Sequence, residues 1–347
     1  MESSTPNTSV SLTPIEWELT TCCICHSSGY RVVRETVELL QVPRVAYTLV
    51  ACSRCGHAFI NPRPKLASIG KFYPADYGPH REFAQPSAPV SQTVDEPART
   101  EKPREHSHWA AAIPGLRSAV LWLLESDSEP IPIVEQPSPK ALEIGCGAGR
   151  FLDRLESKGW TVRGLEPADV PAQRCRDRGL AVQTGNIEST DLPENLFDIV
   201  FAWMVLEHVH QPEVALSKIA NALTSNGILM FSVPNFGCWE PVIFRKYWFG
   251  FQLVHLNYFT VPELKKLLER TGFEIEAVTH QSSVRNIIGS LGLFLRDRRG
   301  LKAFGDWLVE FAGDMSMWSQ LALSPIAKGL CWLRQSGRIT IQARKVD

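Results

Sequence analysis

LEIGCGAGRF, residues 142–151, decides the fold and most of the chemistry. An apolar run meets Gly145, Gly147 and Gly149, and a glycine turn of this kind lets the backbone come close to a nucleotide ligand. Outward from the turn, strands and helices alternate. KALEIG predicts a strand, GRFLDRLESKG a helix, TVRGLEP a strand and PAQRCRDRG a helix closed by glycine. LAVQTGN, LFDIVFAW and GILMFSVP continue the strands, with the helix EVALSKIANAL between the last two. The helix VPELKKLLERTG and the strands FEIEAVTH and RITIQARK follow. Alternation at this pitch predicts a mostly parallel sheet with helices on both faces.

The residues around the turn select its ligand by charge. The dinucleotide fingerprint G-x-G-x-x-G needs a glycine at position 150, which is Arg150, and no Lys-Ser or Lys-Thr follows as in a phosphate-cradling loop. Glu143 stands two residues before the first glycine, where a carboxylate suits a cation and opposes a pyrophosphate. S-adenosylmethionine has a sulfonium, an amino group and no phosphate, so the turn fits that donor better than NAD. Glu166 ends the next strand, 21 residues after Gly145, where an acid accepts hydrogen bonds from both ribose hydroxyls.

The chain of 347 residues is long enough for one large domain and a small one. Its net charge of −1 lacks the basic excess of a general nucleic-acid binder. The first 14 residues are polar and read as a tail without a signal peptide, and no apolar run reaches the ~18 residues of a membrane span. A cytoplasmic location is expected. Residues 15–78 read as a cysteine-bearing module and 79–107, with five prolines, as a linker. Residues 108–347 then form the main domain, opening with an apolar helix at 109–125.

Four of the nine cysteines form C-x2-C-x26-C-x2-C: Cys22, Cys25, Cys52 and Cys55. Two such pairs present four thiolates to one tetrahedral Zn2+, and a reducing compartment favours metal over disulfides. Cys23, His26 and His57 are alternative ligands. A closed four-thiolate site is structural, so no catalytic role falls to this zinc.

LEIGCGAGRF, Glu166 in RGLEP, TGNIESTDLP, FDIVFAWMVLEHVHQP and VHLNYFT together resemble class I S-adenosylmethionine-dependent methyltransferases of the type 11/type 23 group. The likeness covers roughly residues 139–280. It implies a Rossmann-like, seven-stranded, mostly parallel sheet, to which the sequence adds the zinc-ribbon-like β module and a helical insertion at about 285–335. By position it implies that Glu143, Gly145, Cys146 and Gly147 line the methionine part of the donor, with Gly149 also in the cofactor-binding set. Glu166 falls at the ribose, Asn186 and Ile187 at the adenine, and Trp203 beside the donor. CGHAFINPRP with FYPADY also resembles a ribbon that precedes such domains in this group.

Methyl transfer needs an aligned acceptor, exclusion of water and often a proton acceptor. His208, just past the fourth strand at the sheet's carboxyl edge, is the first candidate, and His255 in VHLNYF the second. His210 and His280 read as surface residues. Ten aromatics in residues 231–260 suggest either packing against the N-terminal module or an aromatic-walled acceptor pocket. In the insertion, Phe304, Trp307, Leu308 and Phe311 share a helix face, and Ser324-Pro325 predicts a further helix start. Residues 287–334 read first as an ordinary helical cover of the core; the sharper reading is a cap over the acceptor site that touches a membrane surface or a lipid-linked acceptor.

These observations favour transfer to a small-molecule acceptor, with oxygen the leading target atom, and not to a nucleic acid. The sequence also accommodates a zinc-ribbon interaction protein that binds the donor without turnover. An NAD-dependent oxidoreductase is the third reading, opposed by Arg150.

Overall fold

The computed structural model describes residues 15–40, 44–73, 129–134 and 137–346. The expected tail, the linker and the helix at 109–125 lie outside the described residues.

The N-terminal module contains β1 (Trp17–Glu18), β2 (Tyr30–Val37), β3 (Ala46–Cys52), β4 (Ala58–Ile60), β5 (Arg63–Pro64) and the short helix α1 (Leu66–Ile69). Strands β2 and β3 pair antiparallel, and β1 pairs with β5. The main sheet holds β6 (Lys140–Ile144), β7 (Thr161–Glu166), β8 (Val182–Thr184), β9 (Phe197–Trp203), β10 (Leu223–Pro234), β12 (Phe273–His280) and β13 (Arg338–Lys345). Its order is β12-β13-β10-β9-β6-β7-β8, parallel except at β13, which is antiparallel to both neighbours. This is the expected seven-stranded, mostly parallel α/β sheet.

Helices α2 (Arg150–Glu156), α3 (Asp169–Asp177), α4 (Pro212–Ala222) and α6 (Val261–Arg270) cover the sheet. Central β9, FDIVFAW, is apolar almost throughout because helices bury both of its faces. Edge strand β12 instead alternates exposed and covered positions, since one face meets water. The chain order reverses between β6 and β9, and open α/β sheets form a ligand crevice at the carboxyl ends of such strands.

The module is not a separate bead. Strand β11 (Asn257–Tyr258), from the far half of the chain, pairs antiparallel with β4 and completes a four-stranded sheet β11-β4-β3-β2. Buried Glu38 accepts from the Leu253 amide at 2.7 Å, and Arg63 donates to the His210 carbonyl at 2.7 Å. His57, fully buried, meets Glu263 at 3.4 Å. Glu263 in turn caps α6 by accepting from the Thr260 amide at 2.7 Å.

Between β10 and β11 sits the short helix α5 (Glu240–Phe244). Between β12 and β13 the expected insertion is three helices: α7 (Arg285–Arg296), α8 (Lys302–Gly313) and α9 (Met317–Trp332). Gly292 and Gly305 let α7 and α8 cross at backbone contact, for a Cβ on Gly305 would lie 2.6 Å from the Gly292 carbonyl oxygen. No helix begins at Ser324-Pro325. Helix α9 starts at Ser316, whose hydroxyl accepts from the Ser319 amide at 3.2 Å, and runs through Pro325. Proline cannot donate to the carbonyl four residues back, Leu321, and the Ser324 hydroxyl donates to it instead at 2.7 Å.

Gly164 in β7 has no space for a side chain. An added Cβ would lie 2.7 Å from Cys146 Sγ and 2.9 Å from both Leu152 Cδ1 and Val182 Cγ2. Gly164→Ala is expected to lower unfolding stability by about 1–3 kcal/mol, measured by chemical denaturation.

Candidate functional site

The glycine turn is built as its sequence requires. Gly145, Gly147 and Gly149 have φ of 69°, 51° and 80°, a region where side chains are strained. Glu166 fastens the turn from the next strand, accepting from the Gly147 amide at 2.8 Å and the Ala168 amide at 3.0 Å. Burial raises its carboxyl above the usual range while those two amides oppose the shift. Glu143 is also buried, and its Oε2 has no hydrogen-bond partner. Burial above all, helped by Glu129 and Glu166, raises its pKa well above the usual range. The buried, unpartnered Glu143 Oε2 forms a setting that a cationic ligand would relieve.

The other residues expected here divide. Cys146 belongs to the turn by its backbone, but its thiol points into the core toward Gly164 and Cys175. Asn186 Oδ1 accepts from the Glu188 amide at 2.8 Å, closing a local turn, and Ile187 is buried among core residues. Trp203 lies stacked on Phe201 at 5.7 Å with its indole N–H buried and unpartnered. Gly149 caps α2 against Arg178, Leu180 and Cys175.

Beyond β9 the chain makes a short 3-10 turn, Leu206–His208. The residue before it, Val205, stands where a Gly145 Cβ would come within 2.8 Å of its Cγ2, so this turn leans on the glycine turn. The structure brings His208 and His255 together, with ring centroids 4.8 Å apart. His208 Nδ1 lies 3.0 Å from the Val254 carbonyl oxygen and 2.9 Å from the Tyr73 hydroxyl; His255 Nδ1 lies 2.8 Å from the Gly250 carbonyl. A carbonyl only accepts, so both Nδ1 atoms carry the proton and both Nε2 atoms keep a free lone pair. Burial, then the neighbouring His255, holds His208 well below its usual range, and burial brings His255 down to about 4. Both rings are therefore neutral at physiological pH.

Two residues join this centre that sequence reasoning did not assign to it. Glu207 is buried, has no hydrogen-bond partner on either carboxyl oxygen, and lies 3.8 Å from His208 Nε2. Burial pushes its pKa up to about 8. Its signal was the Glu-His pair itself. Tyr73, from the FYPADY stretch of the module, could be connected to His208 only through the tertiary fold.

Other expectations are corrected. His210 is buried, not on the surface, with Nε2 donating to the Pro64 carbonyl at 2.9 Å. His280 is half-buried beside Ser336. The aromatics of 231–260 do not wall a pocket as a group: Trp248, Phe251 and Tyr258 are buried with Tyr47, Ile60 and Phe72 of the module. Packing, not ligand recognition, accounts for their density. Polar groups occupy the sheet edge instead, with the buried Gln281 Oε1 and Ser282 Oγ unpartnered. Near them the Arg338 guanidinium donates to Ser232 Oγ at 2.7 Å.

In the module, the Sγ atoms of Cys22, Cys25, Cys52 and Cys55 all lie within 4.8 Å of one another. Cys22–Cys55 and Cys25–Cys52 are 3.5 and 3.4 Å apart. The alternative ligands are engaged elsewhere: Cys23 with His57 and Asn257, and His26 with Glu213.

Residues 115–278 match the model of a methyltransferase domain family. A Mycolicibacterium smegmatis protein named a probable S-adenosylmethionine-dependent methyltransferase is 29% identical over 137 residues, covering 39% of this chain and 52% of that one. The ubiquinone biosynthesis O-methyltransferase of Bradyrhizobium diazoefficiens is 35% identical over 102 residues, 28% of this chain and 40% of its own. The chain thus spans about half the length of the curated relatives it matches. An S-adenosylmethionine-dependent methyltransferase structure from Mesorhizobium loti aligns at 17% identity and TM-score 0.41, covering 66% of this chain and 96% of that one.

Ionising Glu207 costs folding energy, because its folded pKa of about 8 lies above its unfolded value near 4.5. That contribution to stability is fully present below about pH 4.5 and is lost as pH rises through 8. Glu207→Gln is therefore expected to gain melting temperature relative to the native chain between about pH 4.5 and 9, measured by calorimetry at several pH values.

Proposed function

We propose that this chain, which carries a class I S-adenosylmethionine-dependent methyltransferase domain, transfers a methyl group to a hydroxyl oxygen of a small polar molecule. The observation that carries the reading is the neutral His208–His255 pair beside the glycine turn, with both Nε2 lone pairs unspent. S-adenosylmethionine, when bound, supplies a methyl group already activated by its sulfonium. The residues present fit this donor: unpartnered Glu143 answers its positive charge, and Glu166 has the position to accept from the ribose hydroxyls. By the family resemblance, Asn186, Ile187 and Trp203 would lie toward the adenosine.

The chain's own work is to orient the acceptor, exclude water and take a proton. Either imidazole Nε2 takes the hydroxyl proton as the oxygen becomes nucleophilic, and the carbonyls of Val254 and Gly250 steady the charged ring. Tyr73 positions His208 from the module. The unpartnered Gln281 Oε1 and Ser282 Oγ offer hydrogen bonds that suit a polyhydroxylated acceptor, such as a sugar, better than a flat aromatic one.

We also infer that Cys22, Cys25, Cys52 and Cys55 hold one Zn2+ as thiolates. A tetrahedron with Zn–S bonds of about 2.3 Å has edges of roughly 3.8 Å, close to the sulfur separations observed. Cys22 and Cys52 share an apolar cluster with Phe259 and Leu264 of the main domain, so the ion would stabilise more than the module.

Labelled methyl transfer to pools of polar metabolites tests the reaction. His208→Asn and His255→Asn are each expected to lower kcat about 100-fold with donor Kd nearly unchanged. Glu166→Ala is expected to weaken donor binding at least about tenfold by calorimetry. Uptake of NAD with indifference to S-adenosylmethionine would overturn the assignment. Metal analysis should find one zinc per chain, and chelation should lower the melting temperature of the whole protein.

A further inference from the structure

We propose that the outer face of α9, with the adjoining helix α5, docks on an anionic membrane surface. The argument begins with the helix itself. Lys328 is the only charged residue in the 16 of α9, MWSQLALSPIAKGLCW. One face, with Leu323, Ala327 and Leu330, packs inward with Val284, Ile288 and Met315. The opposite face is equally apolar and lies in water.

That outer face is regular. Trp318, Ala322, Pro325, Ile326, Gly329, Trp332 and Leu333 are all exposed. At about 100° per residue they fall within one stripe of about 120°. The large members are Trp318 at 59% exposure, Ile326 at 58% and Trp332 at 83%. A helix apolar all round belongs in an environment apolar on both sides, and here only the inner side has one. The stripe continues past the helix end. Gln335 accepts from the Trp239 amide at 2.9 Å, which sets α5 alongside, with Trp239, Val242 and Ile243 also exposed. Contiguous exposed apolar surface of this kind marks an interaction site.

Three observations choose a lipid surface as the occupant. The two exposed tryptophans of α9 stand near its ends, about 21 Å apart along the axis, and indoles favour the level of lipid headgroups. Residues 285–334 carry seven basic and four acidic side chains in a chain whose net charge is −1, so the cover has a local basic excess. An exposed apolar stripe beside basic side chains lies in the interface plane of an anionic bilayer. Among the described residues no helix is long and apolar enough to cross a membrane, so the contact lies on the surface.

The test requires no methyl transfer, so it fails or succeeds independently of the proposed reaction. The full chain is sedimented with vesicles of phosphatidylcholine alone and of phosphatidylcholine with phosphatidylglycerol. Binding to the anionic vesicles is expected, reduced by salt and at least about tenfold weaker in the triple variant Trp318→Ser, Ile326→Ser, Trp332→Ser. These positions face outward, so the variant should keep its melting temperature. Should it unfold, the single Ala322→Glu on the same stripe is expected to weaken binding as well. Failure to bind anionic vesicles, equal binding to both vesicle types, or binding that the outward variants leave intact would each overturn the proposal. So would a concentration-dependent dimer that the triple variant dissolves, which would assign the stripe to a second copy of the chain.

Discussion

The pairing of β11 with β4 governs the architecture of the site. It joins residues 58 and 258 at neighbouring positions, and the chain on either side follows. The loop before β11 is held by Glu38 on the Leu253 amide and by the Ile60 amide on the Leu256 carbonyl. His255 lies inside that loop. Its approach to His208 is therefore fixed from the module's side, as is Tyr73, which reaches His208 from the module's end.

The module is in turn held by charge as well as by strands. His57, buried between Phe59 and Phe259, meets Cys23 on one side and Glu263 on the other. Glu263 stays below the usual carboxylate range despite burial, because His57 and the Thr260 groups offset the desolvation. Arg270, at the end of the same helix, donates to the carbonyls of Ile24 and Cys23 in the first cysteine knuckle. Helix α6 thus touches the metal-type site through both of its ends. Truncating one partner of a buried pair leaves the other charge uncompensated, which commonly costs about 3–5 kcal/mol.

Much of this was legible in the sequence because the signals were local. Alternating strands and helices, the glycine turn with Glu143 and Glu166, and the C-x2-C pairs each depend on short spacings that the fold preserves. What remained hidden was long-range. The ten aromatics of 231–260 carry no local mark telling a pocket wall from an interface, and only the module's sheet shows that Trp248 and Tyr258 face it. His210 looked exposed because its partner, the Pro64 carbonyl, lies 146 positions away. Cys146 sits within the motif but turns its thiol inward, a choice made by Gly164 across the sheet. Ser324-Pro325 carried a true helix-start pattern, overridden when the serine hydroxyl took the carbonyl that proline leaves free.

The glycine crossing of α7 and α8 has a mechanical consequence. With backbone against backbone at Gly292 and Gly305, no side chains intervene to slide or repack, so the two helices must travel as one stiff arm.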